Sequence, residues 1–274
     1  MSTRRASRHA RANQRAELMA RTLTAIPAAL LAAFLVVEGG AIFAVGVFAV
    51  GWIGMHELFS MYRRARPVDL AGLITLGALI LAALYGGRTQ VLLVTVAALP
   101  VLFALTMFQR RPSAGGMALT LLGIYWIGLA LAHAVLLRRT PHGGGVVFDV
   151  LLAALLGDTG AYIGGHLFGE HQMAPRISPG KTLEGLLIGM ICAIAGVWLA
   201  SRFQEWLPAN HALLLGAGVA LVGPLGDLFE SFIKREAHIK DSGTVFGPHG
   251  GVLDRLDAVM FAVVTGYYIW SAYL

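Results

Sequence analysis

The chain is 274 residues long, 57% hydrophobic and only 13% charged, with a mean hydropathy of +0.71; a water-soluble domain carries about 25% charged residues, so a soluble globular fold is excluded. Its apolar runs are continuous and do not alternate, which excludes a transmembrane β-barrel, and the single cysteine, Cys192, excludes an internal disulfide or a cysteine-ligated metal. The formal net charge of +6 is concentrated at one end, where residues 1–21 hold six arginines against Glu17.

A spanning helix needs about 20 largely apolar residues. Spans are predicted at 23–37, 40–55, 68–85, 91–108, 115–137, 146–168, 183–201, 211–230 and 252–273. The expected fold class is therefore an all-α polytopic integral membrane protein of about nine transmembrane helices. A basic tail (1–22) precedes N-terminal membrane helices (23–145) and a C-terminal membrane region (146–274) that holds the polar segments. No convincing cleavage site precedes Gly39, so the basic start reads as a cytoplasmic tail lying on anionic headgroups and not as a removable leader. No folded basic domain follows it, which argues against nucleic acid as a partner. Arg63-Arg64-Ala65-Arg66, Arg110-Arg111, Arg176/Lys181 and the Lys234–Lys240 cluster then share the cytoplasmic face of an inner (plasma) membrane. Arg138-Arg139 is the exception, since it would face outward.

Four polar constellations follow in chain order. Within the sixth span, Asp158 and Tyr162 lie on one face at i, i+4, with His166 extending the stripe; a buried acid at membrane depth points to a functional site. The glycines around them (Gly157, Gly160, Gly164, Gly165) and those at Gly185 and Gly189 have the spacing of closely crossing helices. Next, Arg176-Ile-Ser178-Pro-Gly-Lys181-Thr182 resembles the end of a P-loop, but Pro175 stands where that motif needs glycine. What remains is a basic, hydroxyl-bearing loop before a helix, suited to an anion.

The third constellation places Asp227, Glu230, Ser231 and Lys234 on one helical face. The fourth is the turn His249-Gly250-Gly251 leading into Asp254-Arg255-Leu256-Asp257. From Asp227 to Asp257 there are six acids and four bases, each costing about 2.5–3.5 kcal/mol at bilayer depth. Two readings are open: a self-neutralising ion-pair cluster, or a site for a hard cation such as Mg2+, which takes carboxylates together with phosphate oxygens. Glu38, Glu57, His133 and Asp149 stand isolated and read as structural or interfacial.

The run Ser231-x-Ile233-Lys234-Arg235-x4-Lys240-Asp241-x-Gly243-x2-Phe246-Gly247-x-His249-Gly250-Gly251-Val252-x-Asp254-Arg255-Leu256-Asp257 resembles the signature of the phosphatidate cytidylyltransferase (CDP-diacylglycerol synthase) family. Asp158-Thr-Gly-Ala-Tyr162, Arg176-Ile-Ser-Pro-Gly-Lys-Thr182 and Gly226-Asp227-Leu-x-Glu230-Ser231 resemble it too. One pair departs: Gly247-Pro248 stands where the pattern has Pro-Gly. The resemblance implies a Mg2+-dependent reaction of CTP with phosphatidate to give CDP-diacylglycerol and pyrophosphate, in a homodimer embedded in the lipid bilayer. It favours Asp227 and Asp254 as metal ligands, with Glu230, Asp241 and Asp257 as supporting groups or ligands of a second cation. Lys234, Arg235, Lys240 and Arg255, with Ser178, Lys181 and Thr182, are then expected to bind phosphates, and Asp158 and Tyr162 to line the cavity. Arg176, Ser231, His249, Gly250 and Gly251 complete the expected site. A lipid-alcohol kinase using CTP and an ion-coupled transporter are the competing readings; clustering of the charges at one membrane face argues against the transporter.

Overall fold

A computed structural model describes residues 26–243 and 250–274. The basic tail and the heart of the signature loop, His249 included, lie outside the described residues. The described chain forms helices α1 (Ile26–Glu38), α2 (Gly40–Met61), α3 (Asp69–Gly86), α4 (Arg88–Met107), α5 (Ala114–Arg138), α6 (Gly143–Phe168), α7 (Leu183–Ser201), α8 (Ala209–Glu236) and α9 (Leu253–Ser271). Each predicted span has its helix. Seven of them, α2 to α8, are long and apolar enough to cross a membrane; α1 is short, and α9 carries Asp254, Arg255 and Asp257 at its start. The protein is a polytopic membrane protein.

Two boundaries differ instructively. Spans were predicted to stop at residues 55 and 230, where the apolar runs meet charge, but α2 continues to Met61 and α8 to Glu236. The helices go on because the charged groups met near those points, Glu57 and Glu230, are buried in the protein and bonded there. The predicted 169–182 loop also has structure: β1 (Gln172–Ala174) pairs antiparallel with β2 (Ser178–Thr182). Glu184 ties the hairpin down by accepting from the Glu170 and His171 amides at 3.1 and 3.2 Å.

The packing separates protein-facing from lipid-facing helices. In α5, 78% of the apolar window is buried, against 28% in α4 and 22% in α7, so α5 is central and the other two present apolar side chains outward. The small-residue stripes serve close crossing. A Cβ on Gly185 would strike the backbone of Ala161 and Gly165, one on Gly189 the backbone of Gly157, and one on Gly160 the Cys192 side chain, so α6 and α7 are in direct backbone contact.

The two arginines that break the expected charge pattern, Arg138 and Arg139, have structural partners. Arg138 donates from Nε to the Val36 carbonyl at 2.6 Å and from a terminal nitrogen to Val37 at 3.0 Å. Arg139 donates to the carbonyls of Ala83 and, at 3.0 Å, Gly86. The two guanidinium groups thus cap the unsatisfied C-termini of α1 and α3, where the helix dipole favours a cation. This brings the end of α5 beside the ends of α1 and α3.

Candidate active site

At the opposite face, α8 and α9 are drawn together by Gly226. A Cβ there would collide with the Asp257 carbonyl and lie 3.2 Å from the Ala258 Cα. With no side chain intervening, Asp227 and Glu230, one turn apart on α8, meet Asp257 on α9, and one carboxylate oxygen from each lies within 4.8 Å of the others. From α6, Asp158 and Tyr162 face the same space, and β2 extends Lys181 into it, where its ammonium forms an ion pair with Asp227.

These groups border a cavity of about 410 Å3 whose upper walls are charged and whose floor is Ala154, Gly157, Leu186, Gly189, Val219 and Pro224. Lys234 bridges Glu230 and Asp254 at 2.7 and 2.6 Å. The other Asp254 oxygen accepts from the Ser242 amide (2.9 Å), the Ser242 hydroxyl (2.8 Å) and the Gly251 amide (2.7 Å). In all, the lining includes five acids (Asp158, Asp227, Glu230, Asp254, Asp257) and two lysines (Lys181, Lys234).

The donor set fits a hard divalent cation. Its atoms are carboxylate oxygens, the coordination that Mg2+ prefers. One of them, Glu230 Oε1, is buried with no hydrogen-bond partner, which is costly unless something positive or protic meets it. The excess of three acids over bases points the same way. Asp254, by contrast, has both oxygens already engaged by protein donors.

Of the expected site residues, Asp158, Tyr162, Lys181, Thr182, Asp227, Glu230, Lys234, Asp254 and Asp257 border the cavity. Thr182 also caps α7, its Oγ1 accepting from the Gly185 amide at 3.1 Å. Others stand outside the cavity lining. Ser231 reaches Asp227 only at 3.5 Å, and the exposed Arg235 donates to the Ile177 carbonyl at 3.3 Å, tying α8 to the hairpin. Arg176, Lys240, Asp241 and Arg255 are exposed, Ser178 lies in β2, and Gly250 and Gly251 form the turn into α9, Gly250 at φ +80°. Glu57 was missed. It is 5% exposed and accepts from the Val252 and Leu253 amides at 3.0 Å each. The available signal was its chemistry alone: an acid inside an apolar helix needs buried donors.

A sequence model of the Cytidylyltransferase family matches residues 19–273. The chain is 35% identical over 252 residues to a phosphatidate cytidylyltransferase of Staphylococcus epidermidis, covering 89% of this chain and 95% of that one. It is 34% identical over 251 residues to the phosphatidate cytidylyltransferase of Staphylococcus aureus, with the same coverage. A phosphatidate cytidylyltransferase of Bacillus subtilis is 29% identical over 270 residues, covering 94% of this chain and 99% of that one. Matched along nearly its whole length, the N-terminal helices included, this chain belongs to the cytidylyltransferase family.

Proposed function

We propose that this protein transfers CMP from CTP to phosphatidate, giving CDP-diacylglycerol and pyrophosphate, at the acid-lined cavity between α6, α8 and α9. A phosphate oxygen of phosphatidate forms a bond to the α-phosphorus of CTP, and the bond from that phosphorus to the bridging oxygen breaks as pyrophosphate leaves. The attacking oxygen is already an anion, so no side chain has to act as a strong base. The barrier is repulsion between two polyanions and the charge growing on pyrophosphate. The observation that carries the reading is the cavity's composition: five acids against two lysines repel both substrates unless cations accompany them.

Asp227, Glu230 and Asp257 are suited to hold Mg2+; Asp254, which the resemblance pairs with Asp227, lines the same cavity with its oxygens held by Lys234, Ser242 and Gly251. Mg2+ bound there would neutralise phosphate charge as a Lewis acid. Lys181, carried on the hairpin, and Lys234 supply positive charge to phosphates from the protein side. Ser178, Arg176, Arg235, Lys240 and Arg255 sit on the approach at the same membrane face and draw in the nucleotide. The apolar floor keeps the acyl chains continuous with the bilayer while the headgroup meets CTP. The cavity face is cytoplasmic, where CTP is available and where the lysine and arginine loops lie, and the protein works as a homodimer in the plasma membrane.

The test supplies CTP labelled at the α- or the γ-phosphate to the purified protein in detergent–phosphatidate micelles with Mg2+. Label from the α-position alone must enter the lipid phase. Transfer from the γ-position alone would make the protein a kinase, and the proposal would fail.

A further inference from the structure

Glu57 lies on α2, well before the catalytic half of the chain, and does not border the cavity. Its carboxylate nevertheless reaches across to the start of α9. Oε1 accepts from the Val252 amide and Oε2 from the Leu253 amide, each at 3.0 Å. These are first-turn amides that no helix carbonyl satisfies, so Glu57 serves α9 as an N-terminal cap supplied from another helix. The negative charge also complements the dipole at that end.

The same carboxylate touches both feet of the signature loop. A Cβ on Gly243, where the chain enters it, or on Gly251, where the chain leaves it, would strike Glu57 Oε1. The Ser242 hydroxyl lies between two acids, 2.8 Å from Asp254 Oδ2 and 3.3 Å from Glu57 Oε2. A continuous chain of contacts therefore runs from Glu57 through Ser242 to Asp254, then through Lys234 to Glu230. Two neighbours strengthen the α2 buttress. A Cβ on Gly54 would sit 3.2 Å from the Leu253 side chain, and the Tyr62 hydroxyl donates to the Ile233 carbonyl at 2.7 Å. Burial, then the charge of Glu236, raises the Tyr62 pKa above its ordinary value, so it remains the donor.

We propose that Glu57 is a positioning residue for the transfer reaction: it clamps the entry and exit of the signature loop to the N-terminus of α9 and thereby sets Asp254 and Asp257 against α8. The inference rests on the assignment of nucleotidyl transfer to the cavity. Glu57→Gln is the informative variant, because it keeps the shape but turns one of the two amide-accepting oxygens into a donor facing a donor. The clamp then opens at one foot and α9 shifts. Misplacement of reacting groups by about 1 Å costs on the order of a hundredfold.

The experiment compares wild type, Glu57→Gln and Ser242→Ala, full length in detergent, by steady-state label transfer and by amide hydrogen exchange. For Glu57→Gln, kcat per folded molecule falls about ten- to a hundredfold and KM for CTP rises. KM for phosphatidate stays within about twofold, because the apolar floor is not attached to Glu57. Exchange quickens at residues 250–257 and is unchanged across α5. Ser242→Ala shows the same split, smaller, since it removes only the shared hydroxyl. A folded Glu57→Gln with wild-type kcat, KM and exchange overturns the inference, as does one in which both KM values rise together. If Glu57→Gln does not fold, wild-type behaviour of Ser242→Ala overturns it instead. Wild-type protein that moves no label into lipid would sink the assigned reaction, while the exchange comparison still decides the role of Glu57.

Discussion

Replacing Gly226 by alanine changes no charge and removes no ligand, yet it should cripple the enzyme. The new Cβ would overlap the Asp257 carbonyl and sit 3.1 Å from that carbonyl's carbon and 3.2 Å from the Ala258 Cα. Carbon atoms rest at about 3.5–4.0 Å, and both partners are backbone, so no side chain can rotate away. Helix α9 must retreat by roughly half an ångström to one ångström at the level of Asp257, widening a cluster whose oxygens now lie within 4.8 Å. A displacement of that size costs about a hundredfold in rate, or ~2.7 kcal/mol of transition-state stabilisation. Stability should drop by less, about 1–2 kcal/mol, because overpacking is partly offset by alanine's better helix propensity. The assay is initial-rate label transfer from CTP to phosphatidate, with thermal unfolding in detergent as the fold check. Gly77→Ala in α3 is the control, since its Cβ meets only the Phe48 ring at an ordinary 3.5 Å. A Gly226→Ala enzyme as active as Gly77→Ala would refute the claim that backbone contact between α8 and α9 sets the acid cluster.

Three further outcomes are expected. Lys234→Met leaves the buried Glu230 and the half-buried Asp254 without the ammonium that joins them; stability should fall by about 3–5 kcal/mol, read as a lowered Tm, and label transfer should be lost. Arg138→Ala frees the Val36 and Val37 carbonyls and should cost about 1–2 kcal/mol in unfolding while per-molecule activity is unchanged, because the site lies on the opposite face. Asp149 and Gln204 share one hydrogen bond but leave Asp149 Oδ2 and Gln204 Oε1, both buried acceptors, without partners. Asp149→Asn supplies the missing donor and should match or exceed wild-type Tm, whereas Asp149→Ala should lose about 1–3 kcal/mol; equal losses in the two variants would refute the pairing.

Much of the architecture was legible because a bilayer restricts what can span it: each long apolar run became a helix near its predicted bounds. Where polarity is handled inside the protein, hydropathy misplaced the boundary. Glu57 and Glu230 looked like the ends of spans and are buried in helices that continue past them. Arg138 and Arg139 looked like a violated charge rule because no local pattern reveals that they reach carbonyls on α1 and α3, about 50 to 100 residues away in sequence. The acids at 227, 230, 254 and 257 were found from helical spacing within single segments. Which three draw together depends on the Gly226 contact, and that is a tertiary fact. Asp254, by spacing as good a ligand as Asp257, has its oxygens committed to Lys234, Ser242 and Gly251. Glu57 looked isolated because its partners, the Val252 and Leu253 amides and the Ser242 hydroxyl, lie far along the chain and leave no local sequence signal.

The central claim is that nucleotidyl transfer takes place at the acids gathered around Asp227. It is tested most directly by measuring transfer of α-labelled CTP into phosphatidate across a Mg2+ titration, for wild type and for Asp227→Asn shown to be folded by its unfolding transition. The account predicts saturable, Mg2+-dependent label in the lipid phase for wild type, and a loss of at least about a thousandfold for Asp227→Asn at every Mg2+ concentration. Asp227→Asn transferring label at the wild-type rate would contradict it.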